Sequence, residues 1–372
     1  MRAVEEKPLV VVRSLVYNHE PYLRNCLEGF VMQQTTFPFV AVVHDDCSTD
    51  GSAAILREYA EKYPHIIKPI YETENLYSRH DGSLRRVMNE ACGKYGAKYY
   101  ALCEGDDYWT DPHKLQRQVD FMEAHPDYTM VCTNARVLTP DGELERADFE
   151  KMGWDQYYEE CDIPAEDAIT KGGWLIHTAS IVYRTGLKEK YPDACKRTMF
   201  GDYTLQMFAA LNGKIHFFPE KMVVYRYQAG NSWTIRENTQ SYENQTNSLT
   251  REIDMMMSLD EYSSGRYSNC FYRKIAWSVW GLLRKKPEHA EETLAAFGKH
   301  VRYDRLKNAF EKPRGLFASP LFLLKRACYH PYYPNHRLKC LLQPFLRPFQ
   351  SPLQRIYRGA RRIICGSKTD NE

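Results

Sequence analysis

Four short apolar runs, each followed by a helical pattern, fill the first third of the chain, and this alternation limits the fold more than any other feature. Leu9 to Val16 is rich in β-branched residues and predicts a buried strand. A helix opens near Pro21, where proline is tolerated in the first turn. Phe39 to Asp45 predicts a second strand, and Asp50 can cap a helix from Ser52 to Lys62. Ile66 to Tyr71 reads as a third strand with a helix around Leu84 to Gly93 after it. Tyr99 to Leu102 reads as a fourth, followed by a helix from about His113 to Ala124. Alternation of this kind implies parallel strands joined by right-handed crossovers, an open α/β sheet covered on both faces.

From Tyr128 the pattern loosens. Tyr128 to Leu138, Thr178 to Arg184, Lys214 to Phe218 and Val223 to Tyr227 look like strands, and a helix runs from Gly201 to Leu211. Beyond Asn231 the chain turns helical and polar. The division expected is a catalytic domain over 1–230, with halves of about 1–127 and 128–230, a helical accessory region over 231–312 and a basic segment over 313–372. Between Pro313 and Thr369 there are eleven Lys and Arg residues and no Asp or Glu. Within it Leu353, Ile356, Tyr357, Ala360, Ile363 and Ile364 share one helical face, with Arg355, Arg358, Arg361 and Arg362 on or beside the other. A basic amphipathic helix suits an anionic membrane surface; docking on the chain's own catalytic domain is the alternative, and nucleic acid is not expected as a partner.

The eleven cysteines are scattered, without C-x-x-C or zinc-like spacing, and Cys26, Cys92, Cys103 and Cys132 fall in expected strands or helices. The N-terminus has no apolar stretch of the secretory kind. No apolar run approaches the ~20 residues of a membrane span. A reduced, cytoplasmic protein is expected, with any membrane contact peripheral on the inner face.

In open α/β sheets ligands bind at the carboxyl ends of the strands. Tyr17-Asn18-His19-Glu20 follows strand one, Asp45-Asp46-Cys47-Ser48-Thr49-Asp50-Gly51 follows strand two, and Glu104-Gly105-Asp106-Asp107 follows strand four. Such residues also populate ordinary turns and caps. Three acidic strand ends on one sheet edge are costly unless a cation neutralises them, which invites a divalent metal. No glycine-rich loop follows strand one, against a dinucleotide-binding dehydrogenase, a P-loop enzyme or a nucleotidyltransferase. Tyr17 can offer a π face to a base, and a carboxylate such as Asp45 or Asp46 can accept a base N–H.

In order and spacing these motifs resemble those of family 2 glycosyltransferases of the GT-A fold, over roughly the first 230 residues. The resemblance implies a Rossmann-like nucleotide-binding sheet and transfer from a nucleoside-diphosphate sugar, taken as a UDP-sugar, with inversion at the anomeric carbon. It assigns Tyr17 and Asp46 to the base, Asp106 to the ribose or metal, and Asp107 to the metal, which would be Mn²⁺ or Mg²⁺. It also implies an acidic catalytic base at the start of a helix. Gly201-Asp202-Tyr203 fits, although a Glu usually precedes that Asp; capping of its helix is the alternative for Asp202. Many relatives carry a His near Gln228, and glutamine is a poor replacement for imidazole at a transition metal. Arg79, Arg85 and Arg86 lie where relatives sometimes contact phosphate, but read as surface charges. His44, His177, Trp109 and Trp174 read as core or rim. The function expected is transfer to a hydroxyl of a glycan or lipid-linked acceptor in bacterial surface polysaccharide synthesis; a sugar nucleotidyltransferase and a non-catalytic nucleotide- or glycan-binding protein are the alternatives.

Overall fold

The structure, a computed structural model, describes residues 6–79, 81–145, 148, 157–171, 175–197, 201–227 and 240–297. The chain falls into two compact units, Met1–Thr239 and Gln240–Glu372. In the first, strands β1 (Val10–Val16), β2 (Phe39–Asp45), β3 (Ile67–Tyr71) and β4 (Tyr99–Leu102) alternate with helices α1 (Glu20–Val31), α2 (Ser52–Lys62), α3 (Ser83–Gly93) and α4 (Lys114–Ala124). The sheet continues through β5 (Tyr108–Trp109), β6 (Tyr128–Thr139), β7 (Gly142–Glu143), β8 (Cys161–Asp162), β9 (Val182–Arg184) and β10 (Lys214–Arg226). Its main path is β3-β2-β1-β4-β9-β6-β10-β5.

β1 lies between β2 and β4, parallel to both, and β2 is parallel to β3. The expected parallel half is therefore present. Beyond β4 the sheet is mixed: β9 is antiparallel to both β4 and β6, while β6 and β10 are parallel. Antiparallel pairing needs no helical crossover, so β9 carries no strand–helix alternation of its own, whereas the helix Gly201–Asn212 still precedes β10.

Both faces of β1 are buried. Val10, Val12 and Val16 pack with Leu23, Leu27 and Phe30 of α1, Leu56 of α2 and Leu115 of α4. Val11 lies on the opposite face with Val40, Val42 and Met88 and Cys92 of α3. This two-sided burial explains an uninterrupted apolar run instead of an alternating one. In α1 the spacing of Leu23, Cys26, Leu27 and Phe30 turns one stripe inward, and Pro21 stands in the first turn. Cys26, Cys92, Cys103 and Cys132 are buried free thiols, as expected.

Two expected elements differ. Lys214 to Phe218 and Val223 to Tyr227 form one strand, β10, with its register against β6 shifted between Phe218 and Val223. Pro219 lies in that stretch, and without an N–H it cannot serve a regular ladder. In Thr178 to Arg184 only Val182–Arg184 is strand; Thr178–Ser180 is a 3₁₀ turn whose Ala179 and Ser180 carbonyls are taken by side chains.

In the second unit, the helices Tyr242–Tyr262 and Ser268–Lys285 bury Ile253, Met256, Leu259, Phe271, Ile275 and Val279. Ser241 caps the first, its Oγ accepting from the Asn244 N–H at 3.3 Å. Among the described residues no helix is long and apolar enough to cross a membrane. The basic segment 313–372, Gln228 and Trp174 lie outside the described residues.

Candidate active site

The loops after β1 and β2 are tied to each other by backbone–side-chain bonds. The Asn18 N–H donates to Ser48 Oγ (2.9 Å), and the Thr49 N–H donates to Asn18 Oδ1 (2.7 Å). The His19 N–H donates to Ser52 Oγ at 2.9 Å. Glu20 and Asp50 complete a reciprocal pair: the Glu20 N–H donates to Asp50 Oδ2 (3.0 Å) and the Gly51 N–H to Glu20 Oε2 (2.8 Å). The N-cap of α2 is Gly51 and not Asp50, but Asp50 accepts from the Ser52 N–H at 2.9 Å and so still serves the start of α2, and the start of α1 as well. Asn18, His19 and Glu20 are thus committed to holding the two strand ends in register.

The third loop joins them through a close approach. A Cβ on Gly105 would stand 2.7 Å from His19 Nδ1 and 2.9 Å from Val16 Cγ2. Glycine is needed for the acidic motif after β4 to reach the loop after β1. The Leu15 N–H then donates to Glu104 Oε2 at 3.1 Å.

The sequence-derived site residues occupy this edge unequally. Tyr17 is half-buried just beyond β1. Asp45 ends β2 and is 3% exposed, and its Oδ1 has no hydrogen-bond partner among the described residues. Both oxygens of Asp46 are engaged: Oδ1 accepts from the Leu76 N–H (2.7 Å) and Oδ2 from the Tyr77 N–H (2.9 Å). Asp46 therefore shapes the loop after β3, and Asp45 retains a buried, unpaired acceptor. Asp106 is half-buried, whereas Asp107 is buried and its Oδ1 accepts from the Arg226 N–H at 2.9 Å. Asp202 lies in the first turn of the helix Gly201–Asn212. Its Oδ1 accepts from the Tyr203 N–H (2.8 Å) and its Oδ2 from Thr178 Oγ1 (2.9 Å).

Electrostatics binds these groups into one site. Burial, followed by the charge of Asp106, raises Asp107 well above the usual carboxylate range. Burial pushes Glu104 up to about 8, helped by Asp106 and by Asp202. Lys188 is pushed down to about 7, by burial and then by Arg13, while the charges of Asp202 and Glu104 oppose the shift. An acidic cluster that resists ionisation is what an added cation relieves. Among the described residues no three or more His, Cys, Asp or Glu side chains form a ready metal cage. Mg²⁺ is commonly held by one or two carboxylates with phosphate oxygens and water. Asp106 and Asp107 are two adjacent carboxylates of the kind such a role needs.

Residues 14–229 match the family model described as glycosyl transferase family 2. The chain belongs to that family. This family 2 glycosyltransferase is 33% identical over 248 residues to Rv1520, an uncharacterised protein of Mycobacterium tuberculosis, covering 66% of this chain and 67% of that one. It is 33% identical over 116 residues to TuaG of Bacillus subtilis, a putative teichuronic acid biosynthesis glycosyltransferase, covering 31% of this chain and 42% of TuaG. Its fold is that of TarS from S. aureus, solved in complex with UDP, with a TM-score of 0.50 at 17% identity over 80% of this chain and 82% of that structure. The GT-A architecture expected from the motifs is the one present.

Three residues of the transferase's site were not singled out by its sequence. Glu104 stands inside the acidic motif but had no role assigned. Arg226 comes from β10, its guanidinium donating to the Asp106 carbonyl and lying between the rings of Tyr22 (5.0 Å) and Tyr108 (4.6 Å). Lys188 follows β9 and carries no sequence mark beyond its charge. Of the residues read as core or rim, Trp109 is 1% exposed and donates its Nε1–H to the Ala179 carbonyl. His44 is buried with Nε2 3.1 Å from Glu72 Oε1. His177 is pushed down to about 4 by burial and is a neutral core group stacked on Tyr225. Arg79 is an exposed partner of Glu74.

Proposed function

We propose that this transferase moves a sugar, with inversion, from a UDP-sugar to a hydroxyl of a glycan or lipid-linked acceptor in bacterial surface polysaccharide synthesis. The observation carrying the reading is that one turn joins two acidic elements from opposite halves of the unit: Thr178 of that turn donates to Asp202, and its next residue, Ala179, accepts from Trp109, two residues beyond the Glu104 to Asp107 motif. A donor diphosphate on the motif would present its sugar toward Asp202.

In this reading Tyr17 stacks on the base, Asp45 accepts its N–H through the unpaired oxygen, Asp46 holds the surrounding loop, and Asp106 meets the ribose or metal. Asp106 and Asp107 would hold Mn²⁺ or Mg²⁺, which when bound offsets charge on the departing diphosphate. Asp202 takes the proton of the acceptor hydroxyl as its oxygen attacks the anomeric carbon, and the anomeric carbon–oxygen bond breaks with its electron pair leaving on UDP. The named roles of TuaG in teichuronic acid synthesis and the UDP bound by TarS support the substrate class. The catalytic region would be 1–230, followed by an accessory region 231–312; the basic segment 313–372 would hold the enzyme on the cytoplasmic face of the membrane.

Thermal unfolding with UDP-glucose, UDP-galactose, UDP-N-acetylglucosamine, UDP-glucuronic acid and GDP-mannose, each in Mn²⁺ and in EDTA, tests the reading. A UDP-sugar should raise the melting temperature in Mn²⁺ by mass action. Equal shifts in EDTA would remove the metal, and no shift with any nucleotide sugar would reject the donor class.

A further inference from the structure

Asp202 does not stand alone. Its Oδ2 accepts from Thr178 Oγ1 at 2.9 Å, and Thr178 opens a 3₁₀ turn held by buried side chains of the segment that follows the acidic motif. Trp109 Nε1 donates to the Ala179 carbonyl at 2.8 Å, and Gln118 Nε2 donates to the Ser180 carbonyl at 2.8 Å. Lys114, fully buried, donates from Nζ to Gln118 Oε1 at 2.8 Å and lies 4.2 Å from the centre of the Trp109 ring.

This brace has a fixed polarity. An amide can face either way, but a lysine donor against Oε1 leaves Nε2 the only end able to meet the Ser180 carbonyl. The turn is thereby pinned at two successive carbonyls, and the hydroxyl at its head is delivered to one carboxylate oxygen. The other oxygen is taken by the Tyr203 N–H. Two bonds to different oxygens stop rotation of the carboxylate and aim its remaining lone pairs. Positioning of this kind matters because a general base must lie within hydrogen-bond reach of the proton it takes.

We propose that Thr178 is a positioning residue for Asp202, and that Lys114, Gln118 and Trp109 are the brace behind it. The one segment from Asp106 to Gln118 then serves both ends of the reaction: its first carboxylates face the leaving diphosphate, and its buried side chains fix the base. The inference rests on the proposed role of Asp202.

The test compares Thr178→Val, which keeps the shape and removes the hydroxyl, with Thr178→Ser, which restores it, and with Asp202→Asn. UDP release is followed from the nucleotide sugar that stabilises the wild type, alongside UDP affinity in Mn²⁺ and melting temperature. A lost hydrogen bond to a charged group corresponds to about ten- to a hundredfold, so T178V should lose that much in kcat with UDP affinity unchanged. T178S should recover most of it, and a crystal structure of T178V should show the Asp202 carboxylate rotated. Should T178V not fold, Thr178→Ala replaces it. Wild-type kcat in T178V with D202N inactive would overturn the positioning role alone. Equal damage in the Val and Ser variants, or an unmoved carboxylate, would also overturn it. Full turnover in D202N would instead sink the assignment of the base on which it rests.

Discussion

The backbone N–H of Arg226 donates to Asp107 Oδ1 across 2.9 Å, which fastens the end of β10 to the acidic motif after β4. The same residue's guanidinium lies between Tyr22 and Tyr108, beside the Asp106 carbonyl that it also bonds. A planar cation seated on aromatic rings at the backbone of the acidic motif is suited to a diphosphate oxygen. Arg226→Ala keeps the backbone donor and removes this cation, and should weaken UDP binding in Mn²⁺ by about tenfold, the scale of one charge-assisted bond. Arg226→Lys, lacking the planar fork, should recover only part of it. Titration calorimetry with UDP would measure both, and unchanged affinity in the alanine variant would assign Arg226 to structure alone.

Metal and donor should bind together. Asp106 and Asp107 supply two carboxylates, and no third such ligand completes a cage among the described residues. Mn²⁺ should therefore bind weakly to the protein alone and at least tenfold more tightly with UDP present, which paramagnetic relaxation of water would report. Asp107→Asn should abolish that enhancement. Tight Mn²⁺ binding without UDP would point to a complete protein site instead.

The buried Lys114 makes stability depend on pH in a defined window. Burial pushes its ammonium from 10.5 down to about 7. Between those values the unfolded chain binds the proton that the folded chain releases, so this group makes stability rise with pH from about 7 to 10.5. Below 7 both states hold the proton, and above 10.5 neither does, so it adds no slope there. Urea midpoints at pH 7, 8 and 9 should rise more steeply for the wild type than for Lys114→Met. Parallel slopes would mean that Lys114 keeps its charge in the fold.

The basic segment offers a prediction that its sequence alone supports. Four arginines between Arg355 and Arg362 flank an apolar stripe, and acids are absent back to Pro313. Each basic residue near an anionic surface contributes about 1 kcal/mol, attenuated over a Debye length. Truncation after Leu341 should abolish sedimentation with phosphatidylglycerol vesicles at low salt and leave UDP binding intact. Loss of UDP binding on truncation would make the segment part of the catalytic fold, and a full-length protein that ignores the vesicles would end the membrane assignment.

Local periodicity determined β1 to β4 and α1 to α4, though not the two-residue β5, because each apolar stripe is a property of a dozen neighbouring residues and survives whatever the rest of the chain does. The same applies to the placing of Asp45, Asp46, Asp106 and Asp107 at strand ends, and the order and spacing of their motifs were enough to indicate the family. Tertiary structure decided how these side chains are spent. Asp45 and Asp46 are adjacent and chemically equivalent in sequence, yet Asp46 is occupied by the Leu76 and Tyr77 amides while Asp45 keeps an unpaired oxygen among the described residues. Tertiary structure also inserted β9 between β4 and β6, joined Arg226 to Asp107, and brought the Thr178 hydroxyl to Asp202. These pairings link residues far apart along the chain through short strands and turns, whose register follows from packing and backbone hydrogen bonding across the whole sheet and leaves no periodic trace in the sequence.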